Sequence, residues 1–215
     1  MTSAPAPVRI VRFDRVERAL HWTNALLFCD LLLTGLVLYG FPGTGWVGNR
    51  LVVKDLHVYA GYVLPWPVLL AILAPAGRQV RDDIRRFARW TDDDRRWWRR
   101  STRSTAAVGK FNPGQKLNAV FTGACIMVMA TTGIVMRFPS VFADRWRTGA
   151  DFTHRWFAIA LLCTITGHIL MSITRPEAMR GILTGRVRAS WARHEHPRWA
   201  AEVDPNGSEA IRDHS

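Results

Sequence analysis

Four apolar stretches, at about 19–39, 56–76, 117–136 and 156–173, constrain this chain more than any other feature. Each is close to the roughly 20 residues that cross the hydrocarbon of a bilayer as α-helix. In lipid every backbone N–H and C=O must be satisfied within its own segment, so stretches of this length fold as helices. Asp30 in the first stretch and Pro65 and Pro67 in the second are better tolerated in a bundle interior than against lipid. No secretory signal peptide is read at the start. Arg9, Arg12, Arg15 and Arg18 precede an apolar run that is too long and lacks a small-residue cleavage site. The expected fold is all-α, an integral membrane four-helix bundle over residues 1–203, with a loop at 77–116 and a disordered tail at 204–215.

A formal net charge of +12 would ordinarily raise nucleic-acid binding, but the placement of the charges excludes it. The N-terminus to residue 20, the segment 77–116 and the tail from 174 hold 23 Lys and Arg, whereas the connections 40–55 and 137–155 hold 6. Basic residues gather on the cytoplasmic side of a membrane protein. Both termini and 77–116 are therefore expected in the cytoplasm, with two short turns outside. Arg78 to Arg103, with Phe87, Trp90, Trp97 and Trp98 among its charges, reads as an amphipathic connection on the cytoplasmic surface, drawn to anionic lipid. Trp22, Trp46, Trp66, Trp146 and Trp156 fall near the proposed interfaces, as an aromatic belt does.

Histidines at the edges of these stretches carry the chemistry. His21 opens the first and His57 the second; His154 lies just before the fourth, and His168 about five residues before its end. The topology gives His21 and His168 one depth, on the cytoplasmic side, and His57 and His154 another, on the outer side. His154 and His168 are 14 residues apart, close to four helical turns, so both leave nearly the same face at levels about 21 Å apart. Ionisable groups at membrane depth are costly and mark function. Four of them pairing by depth suit two stacked six-coordinate haems b. Zinc and copper use tighter clusters of three or four ligands. Cys29, Cys125 and Cys163 lie inside apolar stretches and read as small buried hydrophobes. His194, His196 and His214 fall in the polar tail and read as solvated surface.

Arg18-Ala-Leu-His-Trp22, Leu56-His57 followed by Gly61, Gly109-Lys-Phe-Asn-Pro-Gly-Gln-Lys116, Thr166-Gly-His168 and His194-Glu-His-Pro-Arg-Trp199 together resemble the gamma subunit of membrane-bound formate dehydrogenase. That family is a dihaem cytochrome b, related to the cytochrome b subunits of nickel–iron hydrogenase and thiosulfate reductase. The resemblance implies that His57 and His154 hold the outer haem and His21 and His168 the cytoplasmic one. It further implies a quinone site, for menaquinone, at Asn112, Gly114 and Gln115, with Lys116 offering charge to a reduced oxygen. Asn and Gln can hydrogen-bond a carbonyl, and glycine lets a ring approach backbone. The function expected is relay of electrons from an iron–sulfur subunit, fed by a molybdenum- or tungsten-containing catalytic subunit, to quinone in the bacterial cytoplasmic membrane. No catalytic residue is expected on this chain. The same anchor could serve a hydrogenase, thiosulfate reductase or other oxidoreductase; a haem-free anchor or a His-lined transporter is the reading from a different class.

Overall fold

The computed structural model describes residues 7–41, 48–99 and 106–205. In chain order the elements are β1 (Arg9–Val11), α1 (Arg15–Tyr39), α2 (Arg50–Val63), α3 (Trp66–Leu73), a 3-10 turn (Pro75–Gly77), α4 (Arg78–Ala88), α5 (Asp92–Trp98), α6 (Pro113–Arg137), α7 (Asp144–Ile173), α8 (Pro176–Thr184), β2 (Arg186–Arg188), α9 (Ala189–Glu195) and α10 (Pro197–Val203). They group into two compact units. A spanning unit is drawn from 19–78 and 121–169, and a terminal unit from 1–18, 79–120 and 170–215.

Four helical runs are long and apolar enough to cross a membrane: Arg15–Tyr39, Arg50–Leu73, Pro113–Arg137 and Asp144–Ile173. Their large apolar side chains turn outward, as at Leu26, Leu73 and Ile173. Such a surface is stable in lipid and not in water. Each helix begins before its apolar stretch does, because capping and propensity, not hydropathy, decide where a helix starts. Asn49 caps α2 through its side chain, accepting from Val52 N–H at 3.2 Å. His57 consequently lies two turns inside α2 and His154 about three turns inside α7, not at the helix mouths the apolar windows implied. Pro65 and Pro67 interrupt the second run. Neither has an N–H to give to the preceding turn, yet Leu64 and Pro65 keep right-handed helical dihedrals and Leu69 N–H reaches Pro65 O at 3.2 Å. The helical run continues through them.

The terminal unit departs from the all-α expectation by a two-stranded antiparallel ribbon, in which Ile10 pairs with Val187 between flanking arginines. Val187 faces a core of Ala192, Trp199 and Ala200, packed by Ile10 and Trp191. Gly185 closes α8 at φ +83°, and its carbonyl accepts from Arg12 and Phe13 N–H. A Cβ there would stand 2.6 Å from Phe13 O, so the strand entering α1 requires glycine at this point. The segment expected as a surface connection folds into α4 and α5, the latter opened by a capping box between Thr91 and Asp94. The tail is helical to Val203. The expectation of disorder at 206–215, like those placed on Trp46 and His214, lies outside the described residues.

Candidate functional site

All four candidate histidines belong to the spanning unit, and the fold brings them together in two pairs. The rings of His21 on α1 and His168 on α7 have centroids 6.2 Å apart, and those of His57 on α2 and His154 on α7 are 6.3 Å apart. A metal–imidazole bond of about 2 Å added to a ring radius of about 1.1 Å would put the centroids of two imidazoles on opposite sides of one iron about 6.2 Å apart. Both pairs have the spacing of ligands on opposite sides of one iron. One helix, α7, contributes to both. Trp22 packs edge-on against His21, with centroids 5.2 Å apart.

The His57–His154 pair has partners that none of the motifs around the histidines announced. Thr34 Oγ1 on α1 lies 2.9 Å from His57 Nδ1, and Thr132 Oγ1 on α6 lies 2.8 Å from His154 Nδ1. The residue after each threonine is a glycine against the same ring. A Cβ on Gly35 would meet His57 Cε1 at 3.4 Å, and one on Gly133 would meet His154 Cε1 at 3.8 Å. The signal was present as a repeated word, Thr34-Gly-Leu-Val37 and Thr132-Gly-Ile-Val135.

Three observations fit a flat macrocycle between these helices. The ring spacings are those of axial pairs. Gly123 and Gly167 face open space, with nothing within 4 Å of a Cβ built on either. Asn24, one turn beyond His21, has a buried Oδ1 without a partner among the described residues. No group of three or more His, Cys, Asp or Glu side chains converges among the described residues, so the geometry is one of pairs and not of a bare-ion cage.

Residues 12–186 match the family described as prokaryotic cytochrome b561. The chain belongs to that family. As a cytochrome b it is a multi-pass membrane protein whose implied group is haem b, and the paired histidines are the residues that fit it. The cytochrome is 26% identical over 204 residues to the nitrate-inducible formate dehydrogenase cytochrome b556(Fdn) subunit of Escherichia coli (strain K12), covering 91% of this chain and 92% of that one. It is 26% identical over 211 residues to the formate dehydrogenase cytochrome b556(fdo) subunit of the same organism, covering 90% and 93%. Against the formate dehydrogenase cytochrome b556 subunit of Haemophilus influenzae the identity is 26% over 203 residues, covering 90% and 83%.

Asn112, Gly114 and Gln115 sit at the start of α6 in the terminal unit. Asn112 Oδ1 accepts from Gln115 N–H at 2.9 Å and Gln115 Oε1 accepts from Asn112 N–H at 3.0 Å, a reciprocal cap with Pro113 as the first helical residue. The side-chain oxygens are therefore used, while each amide NH2 remains a donor. A Cβ on Gly114 would crowd Asn112 Oδ1 at 3.3 Å. Lys116, considered as charge for a reduced quinone, is instead buried, donating to Arg89 O and Asp94 Oδ2, both at 2.8 Å. Its charge is met within the protein.

The two most distinctive motifs of the sequence pack on each other. His196, expected at the solvated surface, is buried: Trp199, Ala192 and Val187 build an apolar core that draws it in. Its Nδ1–H donates to Gly109 O at 2.7 Å and its Nε2 accepts from Arg12 Nη2 at 3.2 Å. Burial first, then the Arg12 charge, push the imidazole down to about 3. Arg12 also donates to Lys110 O at 2.9 Å, and burial lowers its guanidinium to about 10 against the pull of Asp83 and Glu17. Lys110 Nζ lies 2.6 Å from Glu17 Oε1 and 2.7 Å from Asp83 Oδ2. Burial, reinforced by the neighbouring Glu17, holds the Asp83 carboxyl above the ordinary range, at about 8, against the pull of Lys110.

Proposed function

We propose that the cytochrome is the dihaem membrane subunit of a respiratory formate dehydrogenase, passing electrons from an iron–sulfur subunit to quinone in a bacterial cytoplasmic membrane. The observation that carries this reading is the pair of imidazole spacings, 6.2 and 6.3 Å, hung on a single helix. The names of the E. coli and H. influenzae relatives support the choice of dehydrogenase. When bound, haem b supplies one-electron exchange at iron. His57 and His154 would hold one haem at the outer level, and His21 and His168 the other at the cytoplasmic level. With two histidines per iron the chain leaves no coordination site for a substrate, so its task is relay. Asn112 and Gln115 offer their amide NH2 groups to a carbonyl of menaquinone. Protons for the reduced quinone come from the cytoplasmic side, where both termini and 77–116 lie on the count of basic residues. The partners are an iron–sulfur subunit and a molybdenum- or tungsten-containing catalytic subunit.

The test is a reduced-minus-oxidised spectrum of the purified complex. Formate should raise a sharp alpha band equivalent to two haems b per chain, and a menaquinone analogue should discharge it. Reduction by hydrogen but not by formate would move the subunit to a hydrogenase. Absence of the band would leave a haem-free anchor or a transporter. For topology, a reporter active only outside the cytoplasm should be silent when fused within 77–116 or at the C-terminus, and active within 40–55.

A further inference from the structure

Thr34 and Thr132 do more than tie off helix carbonyls. A threonine hydroxyl has one proton and two lone pairs. Thr34 Oγ1 is 2.7 Å from Asp30 O, and Thr132 Oγ1 is 2.7 Å from Val128 O; two oxygens come that close only with the proton between them. Each hydroxyl proton is therefore committed to its own helix, which pins the side-chain rotamer. What remains aimed at the imidazole is a lone pair, so in the contacts of 2.9 Å from Thr34 Oγ1 to His57 Nδ1 and 2.8 Å from Thr132 Oγ1 to His154 Nδ1 the hydrogen is carried by Nδ1. Both rings are held as the tautomer whose Nε2 has its lone pair free. The glycine after each threonine lies against the edge of the same ring. The same device occurs on α1 and on α6, each against a different histidine.

We infer that Thr34 and Thr132 are positioning residues for the outer iron: they fix His57 and His154 with Nε2 toward the metal and, by accepting from Nδ1–H, hold the potential of that haem down. This rests on the reading of His57 and His154 as its ligands. A hydrogen bond from Nδ1–H makes an imidazole more basic, and a more basic ligand favours ferric over ferrous iron. Removing the acceptor raises the potential of the outer haem and leaves the other alone.

The experiment is potentiometric titration of the purified complex, with haem per chain measured in parallel, for Thr34→Val, Thr132→Val, the double variant, and Thr34→Ser and Thr132→Ser. Val keeps the shape without the hydroxyl; Ser keeps the hydroxyl. The expected result is an upward shift of one and the same midpoint potential in all Val variants, largest in the double, with wild-type values in both Ser variants. Loss of one haem in a Val variant with retention in its Ser counterpart also supports the inference, since such supporting hydrogen bonds are worth about 10–100-fold in metal affinity. Wild-type potentials and haem content in the double Val variant would overturn it, as would a shift of both potentials alike. Should the Val variants fail to accumulate, double resonance on the oxidised wild-type haem decides: an exchangeable Nδ1 proton must appear on both outer ligands, and its absence overturns the inference. A wild-type complex without two bis-imidazole signals would sink the ligand reading itself, a separate result.

Discussion

The spanning unit and the terminal unit solve the burial of polar groups in opposite ways. In the spanning unit the interior polar side chains that meet one another are neutral, two histidines against two threonines, and the outward surface is apolar. In the terminal unit the interior holds full charges: Lys110 is 1% exposed between Glu17 at 7% and Asp83 at 9%, and Lys116 is sealed against Asp94. An ion taken into lipid has no water to return to when the structure opens, so charge there is reserved for function. In the terminal unit, paired ions specify which segments meet, and a network missing one member is worse than an apolar core.

The contrast breaks first at the histidines. Replacing His57 or His154 with Ala should reduce haem from two per chain to one, and replacing His21 or His168 should remove the other, as read by pyridine haemochrome. Two haems retained in any of the four would refute the assignment of that histidine.

Lys110→Met should leave the haem content at two while destabilising the terminal unit, because it strands two carboxyls in a buried site. The expected loss is about 3–5 kcal/mol, seen as a lowered midpoint in thermal unfolding. Adding Glu17→Gln and Asp83→Asn to the same variant should recover most of it. Haem loss in Lys110→Met would show that the two units are not energetically separable.

Acid should act through His196. Its folded value near 3 lies below the ordinary 6.5, so between those limits the unfolded chain binds the extra proton and stability falls as pH drops. Each pH unit below about 6.5 should cost about 1.4 kcal/mol from this group, present in full above that pH. Asp83, with its value raised, contributes in the opposite sense, most at low pH and lost as pH rises through its folded value. The unfolding midpoint of wild type against His196→Gln, followed from pH 7 to 5, isolates the histidine: the variant should show the shallower acid slope.

The smallest effect is expected at the quinone loop. Asn112→Asp and Gln115→Glu keep the oxygens of the reciprocal cap and remove the NH2 donors, so helix stability should hold while binding of a quinone analogue weakens. A lost hydrogen bond of about 0.5–1.5 kcal/mol gives at most roughly a tenfold change. Unchanged haem reoxidation and inhibitor affinity in both would leave Asn112 and Gln115 as a helix cap alone.

Much of this was legible in the sequence because hydropathy and charge are summed over many residues. Each of the four apolar stretches falls largely within a helical run long and apolar enough to cross a membrane. Depth alone pairs His21 with His168 and His57 with His154, and these are the rings that the fold brings together. What was not legible depended on contacts distant in sequence. His196 looked solvated among Arg193, His194, Glu195 and Arg198, and nothing local announces that Arg12, 184 residues away, lies against it. The ribbon of β1 and β2 consists of three residues on each side, too short for a periodic signal. Lys110 and Lys116 count as positive-inside charge in a tally of residues, yet both are internally neutralised. Thr34 and Thr132 read as ordinary spanning-helix residues until their neighbours are known, although the repeated Thr-Gly word was there to be noticed.

The continuity of α7 makes it a ruler. His154 and His168 share an unbroken helix, so the separation of their imidazoles along the axis and the angle between them are one quantity written in residue number. Deleting a single residue between them would swing one imidazole about 100° around the axis while shortening the gap by only about 1.5 Å. An insertion of seven would nearly restore the angle and lengthen the gap by about 10 Å. In this segment length is therefore quantised by phase. If His154 and His168 hold two haems as proposed, the count of residues between them is fixed more tightly than the identity of most of them, and a relative with a different count would have to place a ligand elsewhere.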